Sequence, residues 1–327
     1  MKKIKIIILL LVIGITFSCT RNSESNNNPV PVSYYADKDV EIIFENDREN
    51  GINVIFMGDA YFRNELKKVN GKYNSDAIKS IECLFNSHPF FEYKNHFNAY
   101  IVYAESSTMN YPFGSTGGIA EPPTIQNYNA VNDYVFQVKG RPMNNKDLIL
   151  MGVYGRGGGS TALGGNVAVF GTSNFAPIET VVLATMLHEV GHAFASLGDE
   201  YSIPNTDLNG FLTEMPNLDN TNNLNLVKWK HFIGLNGYSS VGVYEGGGLH
   251  EFGIWRPESS SSMGANSVLY YNAPSREAIV KKIMDVRGIM YDFNSFLTLD
   301  NGNQLNKNSK NIKNEQFERI KCGVWKK

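Results

Sequence analysis

The chain has 327 residues, 42% of them hydrophobic and 12% aromatic, which suffices for one large core or two modest ones. The formal net charge of −2 gives no reason to expect a nucleic acid partner, and we expect none. The three scattered cysteines exclude a disulfide scaffold and a cysteine-type zinc module. Cys83 is interpreted as a buried small hydrophobe, and a bridge between Cys83 and Cys322 stays open.

Residues 1–18 are predicted to be a signal peptide. A basic start precedes an apolar run from Ile6 to Phe17, shorter than the ~20 residues that a membrane-spanning helix needs. Ser18 and Cys19 resemble the lipobox of bacterial lipoproteins, which implies a lipid anchor on Cys19 that binds a membrane. Phe17 stands where a small residue is commoner, so plain secretion is the alternative. The lipoprotein reading implies the envelope of a Gram-negative bacterium, facing the periplasm or the cell surface.

Residues 19–40 are polar and contain prolines, which predicts a flexible tether. A single domain is predicted over 41–327, with an N-terminal part at 41–197 and a C-terminal part at 198–327. Buried strands are predicted at 51–62, 96–106, 147–155 and 166–171. Because helical patterns separate them, we expect an α/β fold with a largely parallel sheet.

The helical segments are predicted from apolar periodicity and capping residues. The first follows strand 51–62, is interrupted near Gly71 and is capped afresh at Ser75. The glycine-rich residues 155–166 lack the Gly-Lys-Ser/Thr ending of a phosphate loop and are predicted to be a mobile loop. A long helix follows at 176–197, with Pro177 in its first turn. The chain is then rich in loops until a last helix with Ser275 as its N-cap.

The long helix carries the sequence His188-Glu189-Val190-Gly191-His192. The two histidines are four residues apart, so they lie one turn from each other on one face and can bind one metal ion. Glu189 points about 100° away from His188, where a general base would stand beside an open coordination position. Chance predicts only about 0.01 such motifs in a chain of this composition.

Zinc bound by two histidines needs a third protein ligand and leaves a fourth position for water. In an unbroken helix Asp199 would lie ~10 Å beyond His192, so the chain must bend back, and Gly198 is placed to allow it. We expect Asp199 to be the third ligand. Glu200 is interpreted as a carboxylate that bonds a ligand histidine, with zinc ligation by Glu200 as the alternative.

The sequence HEVGHAFASLGDEY resembles the motif of the IgA-peptidase family of zinc metallopeptidases, H-E-x-G-H-x-x-x-x-L-x-D-E-Y. Residues 53–62, 87–107, 248–264 and 272–280 are similar to further blocks of that family. The resemblance implies Zn²⁺ at His188, His192 and Asp199, with Glu189 catalytic. It also implies a metzincin-like fold: a twisted, mostly parallel sheet, an active-site helix and a loop-rich C-terminal subdomain, with Met263 in a supporting turn beneath the metal.

The chain departs from the family pattern in two respects. Ser261 and Ser262 occupy a region where relatives often carry cysteine, and the larger N-terminal domain of some relatives is absent. Neither departure involves the expected zinc ligands.

Four further residues have two interpretations each. Met263 either supports the metal or simply fills a core gap. His250 could line the cleft, but a solvated loop histidine is favoured. Tyr270 and Tyr271 could present a phenol to an oxyanion, although packing is favoured. Residues 166–170 are expected to form an edge strand that pairs with an extended substrate.

The motif and the resemblance together predict an exported zinc-dependent endopeptidase that acts on extracytoplasmic proteins or peptides. Glu189 takes the proton of the zinc-activated water and passes it to the leaving amine. Two alternatives remain: a surface binding protein that holds zinc without turnover, and a zinc hydrolase of non-protein amides. The intact Glu189 argues against the first, because a structural zinc site has no need of that carboxylate.

Overall fold

The computed structural model describes residues 31–106, 125–155, 157–161, 163–172, 179–205, 214–265 and 267–301. Residues from Ser33 onward fall in one compact unit, which begins inside the predicted tether. The predicted signal peptide, Cys19, Pro177 and Cys322 lie outside the described residues.

A six-stranded sheet forms the centre of the fold, in the order β1-β3-β2-β4-β6-β5. The strands β2, β3, β4 and β6 are parallel, and the edge strands β1 and β5 are antiparallel to their neighbours. Their bounds are β1 Val40–Glu45, β2 Ile52–Asp59, β3 Phe97–Val102, β4 Asp147–Val153, β5 Gly159–Ser160 and β6 Val167–Gly171. The four parallel strands are buried throughout, as strands covered on both faces must be, and the predicted α/β class is confirmed.

Helices cover both faces of the sheet: α1 Lys72–Phe85, α2 Ile125–Lys139, α3 Glu179–Ala195, α4 Ala273–Arg287 and α5 Phe293–Leu299. Because alternate residues of a strand point to opposite faces, β2 supplies both cores. Val54 and Phe56 belong to the core that α1, α3 and α4 share, whereas Ile55 and Met57 belong to the core beneath α2.

Two predicted helix starts differ from the structure. The first helix begins at Lys72 after Gly71 as the N-cap, so the fresh cap predicted at Ser75 is wrong. Ser75 lies in the first turn, where its N–H donates to the Gly71 carbonyl. The last predicted helix is α4, and its N-cap is Asn272, whose side chain accepts a hydrogen bond from the Ser275 N–H at 3.0 Å.

The C-terminal part is loop-rich, as predicted, with one hairpin formed by β7 (Tyr244–Gly247) and β8 (His250–Arg256). A buried ion pair between Arg276 of α4 and Asp300 at the end of α5 holds the last two helices together, with Nε and Oδ1 2.6 Å apart. Among the described residues, no helix has both the length and the apolar character that crossing a membrane requires.

Candidate metal centre

Helix α3 is buried on several sides, which explains its apolar composition. Leu183, Leu187, Val190 and Phe194 are all at most 3% exposed and pack in the core beneath the sheet. A helix that is apolar around most of its circumference is a buried one. His188 and His192 therefore stand on a rigid element that the core positions.

Gly191 allows a neighbouring turn to pack closely against α3. A Cβ at this position would lie 2.6 Å from Sδ of Met263 and 3.2 Å from Cε1 of Tyr271. Met263 is fully buried, and its sulfur packs against α3 at Gly191. This placement agrees with a supporting turn, and it also makes Met263 part of the core.

The chain bends back after α3 at Ser196, not at Gly198. Ser196 adopts a left-handed conformation with φ of 53°, and its N–H donates to the His192 carbonyl. The expectation that Gly198 makes the bend is wrong. Gly198 instead packs closely, because both its N–H and its carbonyl bond the side-chain amide of Asn217, at 2.7 and 2.8 Å.

The bend brings Asp199 to the two histidines. Oδ1 of Asp199 lies 3.0 Å from Nε2 of His188 and 3.2 Å from Nε2 of His192, and the two Nε2 atoms are 3.0 Å apart. Ligands around a tetrahedral ion with bonds of ~2.0–2.2 Å are about 3.4 Å from one another. The three atoms thus form one face of a site that can hold a metal ion.

The hydrogen bonds of the histidines leave their Nε2 atoms free to bind a metal. Nδ1 of His188 lies 2.9 Å from the Ser262 carbonyl oxygen, and Nδ1 of His192 lies 2.6 Å from that of Leu197. A carbonyl only accepts, so each Nδ1 carries the hydrogen and each Nε2 presents a lone pair. Oδ1 of Asp199 is buried and has no hydrogen-bond donor. The two Nε2 atoms and this Oδ1 are three hydrogen-bond acceptors that face one another with no hydrogen between them. The space between them therefore suits a bound cation.

The charges around the site favour a cation as well. Burial opposes protonation of His188, but the close contact with the Asp199 carboxylate and its negative charge outweigh burial and raise the His188 pKa. Burial likewise works to raise the pKa of Asp199, yet the close contacts of its carboxylate with both histidines outweigh burial and hold that pKa well below its ordinary value. Each partner therefore stabilises positive charge in the space between them.

Glu189 is buried beside the metal ligands. Burial raises its pKa, and the nearby His192 and His188 oppose that rise. Oε2 of Glu189 has no hydrogen-bond partner, whereas Thr161 bonds the carboxyl group. A Cβ on Gly159 would lie 2.3 Å from Oε1 of Glu189, so the glycine of β5 makes room for the carboxylate. A carboxyl group with a raised pKa and a free oxygen is suited to accept a proton and release it again.

Glu200 points away from the histidines, so the expectation that it bonds a ligand histidine is wrong. Its Oε1 accepts from the amides of Asn217 and Asn272, at 2.8 and 2.6 Å, and its Oε2 accepts from the Ser261 hydroxyl at 2.5 Å. Its N–H donates to the Met263 carbonyl. Burial raises its pKa to about 7. Glu200 therefore fixes the loop of Asp199 to the turn at 261–263.

Tyr270 and Tyr271 lie as the favoured interpretation predicted, whereas His250 and segment 166–170 differ from it: His250 begins strand β8 and is not a solvated loop residue. His250 is half-buried, and its Nδ1 bonds the Gly248 carbonyl. The Tyr270 hydroxyl donates to Glu258, and the buried Tyr271 donates to the Leu187 carbonyl, so both are packing residues. Segment 166–170 is not an edge strand, because β6 lies between β4 and β5, so the edge strand is β5.

Tyr201 is the residue of the site that the sequence reasoning missed. Its ring stacks near that of His188, with centroids 6.3 Å apart, and it is 40% exposed. Burial of part of the ring, with the charges of Asp199 and Glu189, raises its pKa to about 12. The phenol therefore stays protonated; its hydrogen, which bonds the Asp199 carboxyl group in this structure, is a donor at the mouth of the site. Its position two residues after Asp199 was the available signal.

The described part of the chain thus brings together two histidines, a ligand carboxylate, a second carboxylate and a phenol. No protein-family model matches this chain. No curated protein matches it in sequence. What the site does is therefore inferred from its own geometry and from the motif.

Proposed function

We propose that this protein is an exported zinc endopeptidase that hydrolyses peptide bonds of extracytoplasmic proteins. One observation carries the proposal: three donor atoms of His188, His192 and Asp199 converge within 3.2 Å of one another beside the unpartnered carboxylate oxygen of Glu189. A metal site that served only structure would need no such carboxylate.

The donor set supports zinc as the metal. Two imidazole nitrogens and one carboxylate oxygen suit zinc, and a site with three protein ligands leaves a position open for substrate or water. The carbonyl groups of Ser262 and Leu197 orient the two rings and increase their basicity as ligands. When bound, zinc polarises the scissile carbonyl and lowers the pKa of water to about 7.

Glu189 supplies the proton transfers in this proposal. Its carboxylate accepts the proton of the attacking water and then donates it to the leaving amine. Burial raises the Glu189 pKa toward the range in which both transfers are possible. The Tyr201 phenol donates a hydrogen bond to the oxygen on which negative charge develops. The resemblance to the IgA-peptidase family supports the same roles for the matching residues.

The substrate is proposed to lie along β5. This two-residue strand is the edge of the sheet next to Glu189, and an extended peptide can pair with the free side of an edge strand. We therefore keep the expectation that an extended substrate pairs with an edge strand, but assign that role to β5 in place of residues 166–170. Main-chain pairing of this kind accepts many sequences, which suits an endopeptidase.

The test combines metal content with cleavage of an unfolded protein such as reduced casein. We expect Glu189→Gln to bind one zinc per chain and to lose at least about 10³-fold in kcat, because only the proton shuttle is removed. Glu92→Gln is the matched control, since Glu92 is also a carboxylate with one buried unpartnered oxygen but lies outside the site.

The outcomes separate the alternatives. Cleavage by the wild type that survives in Glu189→Gln would contradict the mechanism. A wild type that binds zinc and cleaves neither proteins nor peptides would favour a binding protein, and one that cleaves only small amides would favour a non-peptide hydrolase.

We further propose that the chain is a lipoprotein of the Gram-negative envelope, anchored through Cys19. The support is the apolar run that ends at Phe17 and the Ser18-Cys19 pair. We expect the wild type in the membrane fraction and Cys19→Ala in the soluble fraction or as an uncleaved precursor. A wild type found wholly in the soluble fraction, with an unmodified N-terminus, would establish plain secretion.

A further inference from the structure

A threonine in the glycine-rich segment 155–166 connects the sheet to the carboxylate of Glu189. The edge strand β5 lies within this segment, and Thr161 directly follows it. Oγ1 of Thr161 accepts a hydrogen bond from the Val169 N–H at 3.2 Å. The same hydroxyl bonds the Glu189 carboxyl group. One side chain therefore joins β6 to the carboxylate that α3 carries.

The two partners of Thr161 determine the direction of its only hydroxyl hydrogen. A backbone N–H only donates, so Oγ1 accepts from Val169 and keeps its hydrogen for the other partner. An ionised carboxylate only accepts, so Thr161 is the donor to Glu189. A hydrogen bond of this kind, to a charged acceptor, is roughly twice as strong as one between neutral groups.

The strand that holds the Thr161 hydroxyl is rigid. Val169 is fully buried in β6, where it pairs with Met151 of β4 on one side and with Ser160 of β5 on the other. Groups held by the strands of a scaffold are placed more precisely than groups on loops. The central sheet thus fixes the position of a carboxylate that belongs to a helix.

Gly159 allows the carboxylate to lie this close to β5. A Cβ at this position would lie 2.3 Å from Oε1 and 2.6 Å from Cδ of Glu189. Residues two apart in an extended segment point to the same side, so Gly159 leaves space on the side where Thr161 places its hydroxyl. The short segment combines a missing side chain with a hydrogen-bond donor, and both act on the same carboxylate.

We propose that Thr161 is a positioning residue for the general base. Its hydroxyl holds the carboxylate of Glu189 against β5, the strand on which the substrate is proposed to lie. The consequence for catalysis rests on the proposed function, in which Glu189 takes the proton of the attacking water. Thr161 acts through Glu189 and transfers no proton itself. A small misplacement of a catalytic group can cost about 10²-fold in rate, so the hold on this carboxylate matters.

Two substitutions of Thr161 separate its hydroxyl from its shape. With reduced casein as substrate and zinc present, we expect Thr161→Val to lower kcat about 10- to 100-fold with KM within about twofold. Thr161→Ser keeps the donor and should stay within about threefold of the wild type. In the Glu189→Gln chain, Thr161→Val should change the remaining rate by less than about threefold, because no base is left to position.

Thr172→Val is the matched control. Thr172 directly follows β6, and its hydroxyl lies 2.6 Å from that of the buried Tyr61. Its loss removes a buried hydroxyl from the same sheet but leaves the bond to Glu189 in place. We expect this variant to be less stable than the wild type and to keep kcat within about twofold.

Urea denaturation of the full chain with zinc supplies a readout that does not depend on turnover. We expect Thr161→Val to change the unfolding equilibrium constant about 10-fold less in the Glu189→Ala chain than in the wild type, because the bond is already lost there.

Additive effects of these two substitutions on unfolding overturn the proposal. So does a Thr161→Val chain with kcat within twofold of the wild type, a Thr161→Ser chain as slow as Thr161→Val, or an equal loss of rate in the Glu189→Gln chain. A wild type that cleaves nothing while the two substitutions stay coupled in unfolding would refute the peptidase function and leave the hold on Glu189 established.

Discussion

Replacing Asp59 with Asn should change the stability of the protein in a way that depends on pH. Burial raises the Asp59 pKa from 3.8 to about 6. The folded state therefore holds a proton between these values that the unfolded state has released. The favourable contribution of the protonated carboxyl group is complete below the unfolded pKa and is lost as the pH rises through 6.

The magnitude follows from the two pKa values. A difference of about two pH units corresponds to about 3 kcal/mol, most of which falls between pH 4 and pH 8. Asn keeps the acceptor that the Ala60 N–H bonds but never ionises. We therefore expect the unfolding free energy of Asp59→Asn, relative to the wild type, to rise by about 2–3 kcal/mol from pH 4 to pH 8. Tyr134, whose hydroxyl bonds Asp37, is the titratable side chain that faces it from α2.

Urea denaturation of both proteins at pH 4, 5, 6, 7 and 8 measures this difference. Taking the difference between variant and wild type cancels the metal site and every other titrating group. Asp285→Asn on the exposed side of α4 is the control, and its difference should stay constant within about 0.5 kcal/mol. A flat difference for Asp59→Asn over the same range would refute the claim that this carboxyl group is buried without a partner for its charge.

Three further outcomes are expected. Asp199→Ala should fail to retain zinc, whereas Glu200→Gln should keep one ion with affinity about 10- to 100-fold weaker, as zinc competition titration would measure; equal losses would contradict their different roles. Gly191→Ala should lower the unfolding free energy by about 1–3 kcal/mol, because its Cβ would lie 2.6 Å from Sδ of Met263, and an unchanged urea midpoint would be inconsistent with that packing. Tyr201→Phe should lower kcat about 10²-fold with KM and zinc content nearly unchanged, and a kcat within twofold of the wild type would remove the phenol from the mechanism.

The convergence of His188, His192 and Asp199 could be predicted from the sequence, because the geometry that requires it is local. His188 and His192 need only a helix to lie on one face, and a helix of known rise puts Asp199 out of reach unless the chain bends. Both requirements could be stated from spacing alone. The four parallel strands were likewise predictable, since strands buried on both faces are continuous apolar runs.

The position of the bend was not predictable by the same reasoning. Conformational preference favours glycine in the left-handed region, and Gly198 was the natural choice. Ser196 takes that conformation instead, because α3 already ends at Ala195. The N–H and the carbonyl of Gly198 both form hydrogen bonds with the side-chain amide of Asn217, nineteen residues later in the chain. This contact between residues nineteen positions apart overrides the local preference for glycine, and no sequence pattern near Gly198 indicates it.

The surroundings of Glu200 and Asp59 could not be predicted from the sequence for the same reason. Glu200 bonds Ser261 and Asn272, which are 61 and 72 residues away in sequence. The residues around Asp59 come from β2, β4, α2 and the segment after β3, which are far apart in the sequence. Edge strand β1 was missed because its half-exposed residues give neither a continuous apolar run nor a strict alternation.

The distant supports of the metal centre have a consequence for the order of events during folding. His188 gains its orienting hydrogen bond only when Ser262, 74 residues later, has docked against α3. The loop of Asp199 is held by Glu200 only when Asn217, Ser261 and Asn272 have all reached it. Local helix formation alone thus yields two adjacent histidines and no completed centre. A chain that is still being made, or is being passed unfolded across a membrane, would lack the means to hold its metal firmly. The proposed peptidase activity would then appear only at the end of folding, in the compartment where folding finishes.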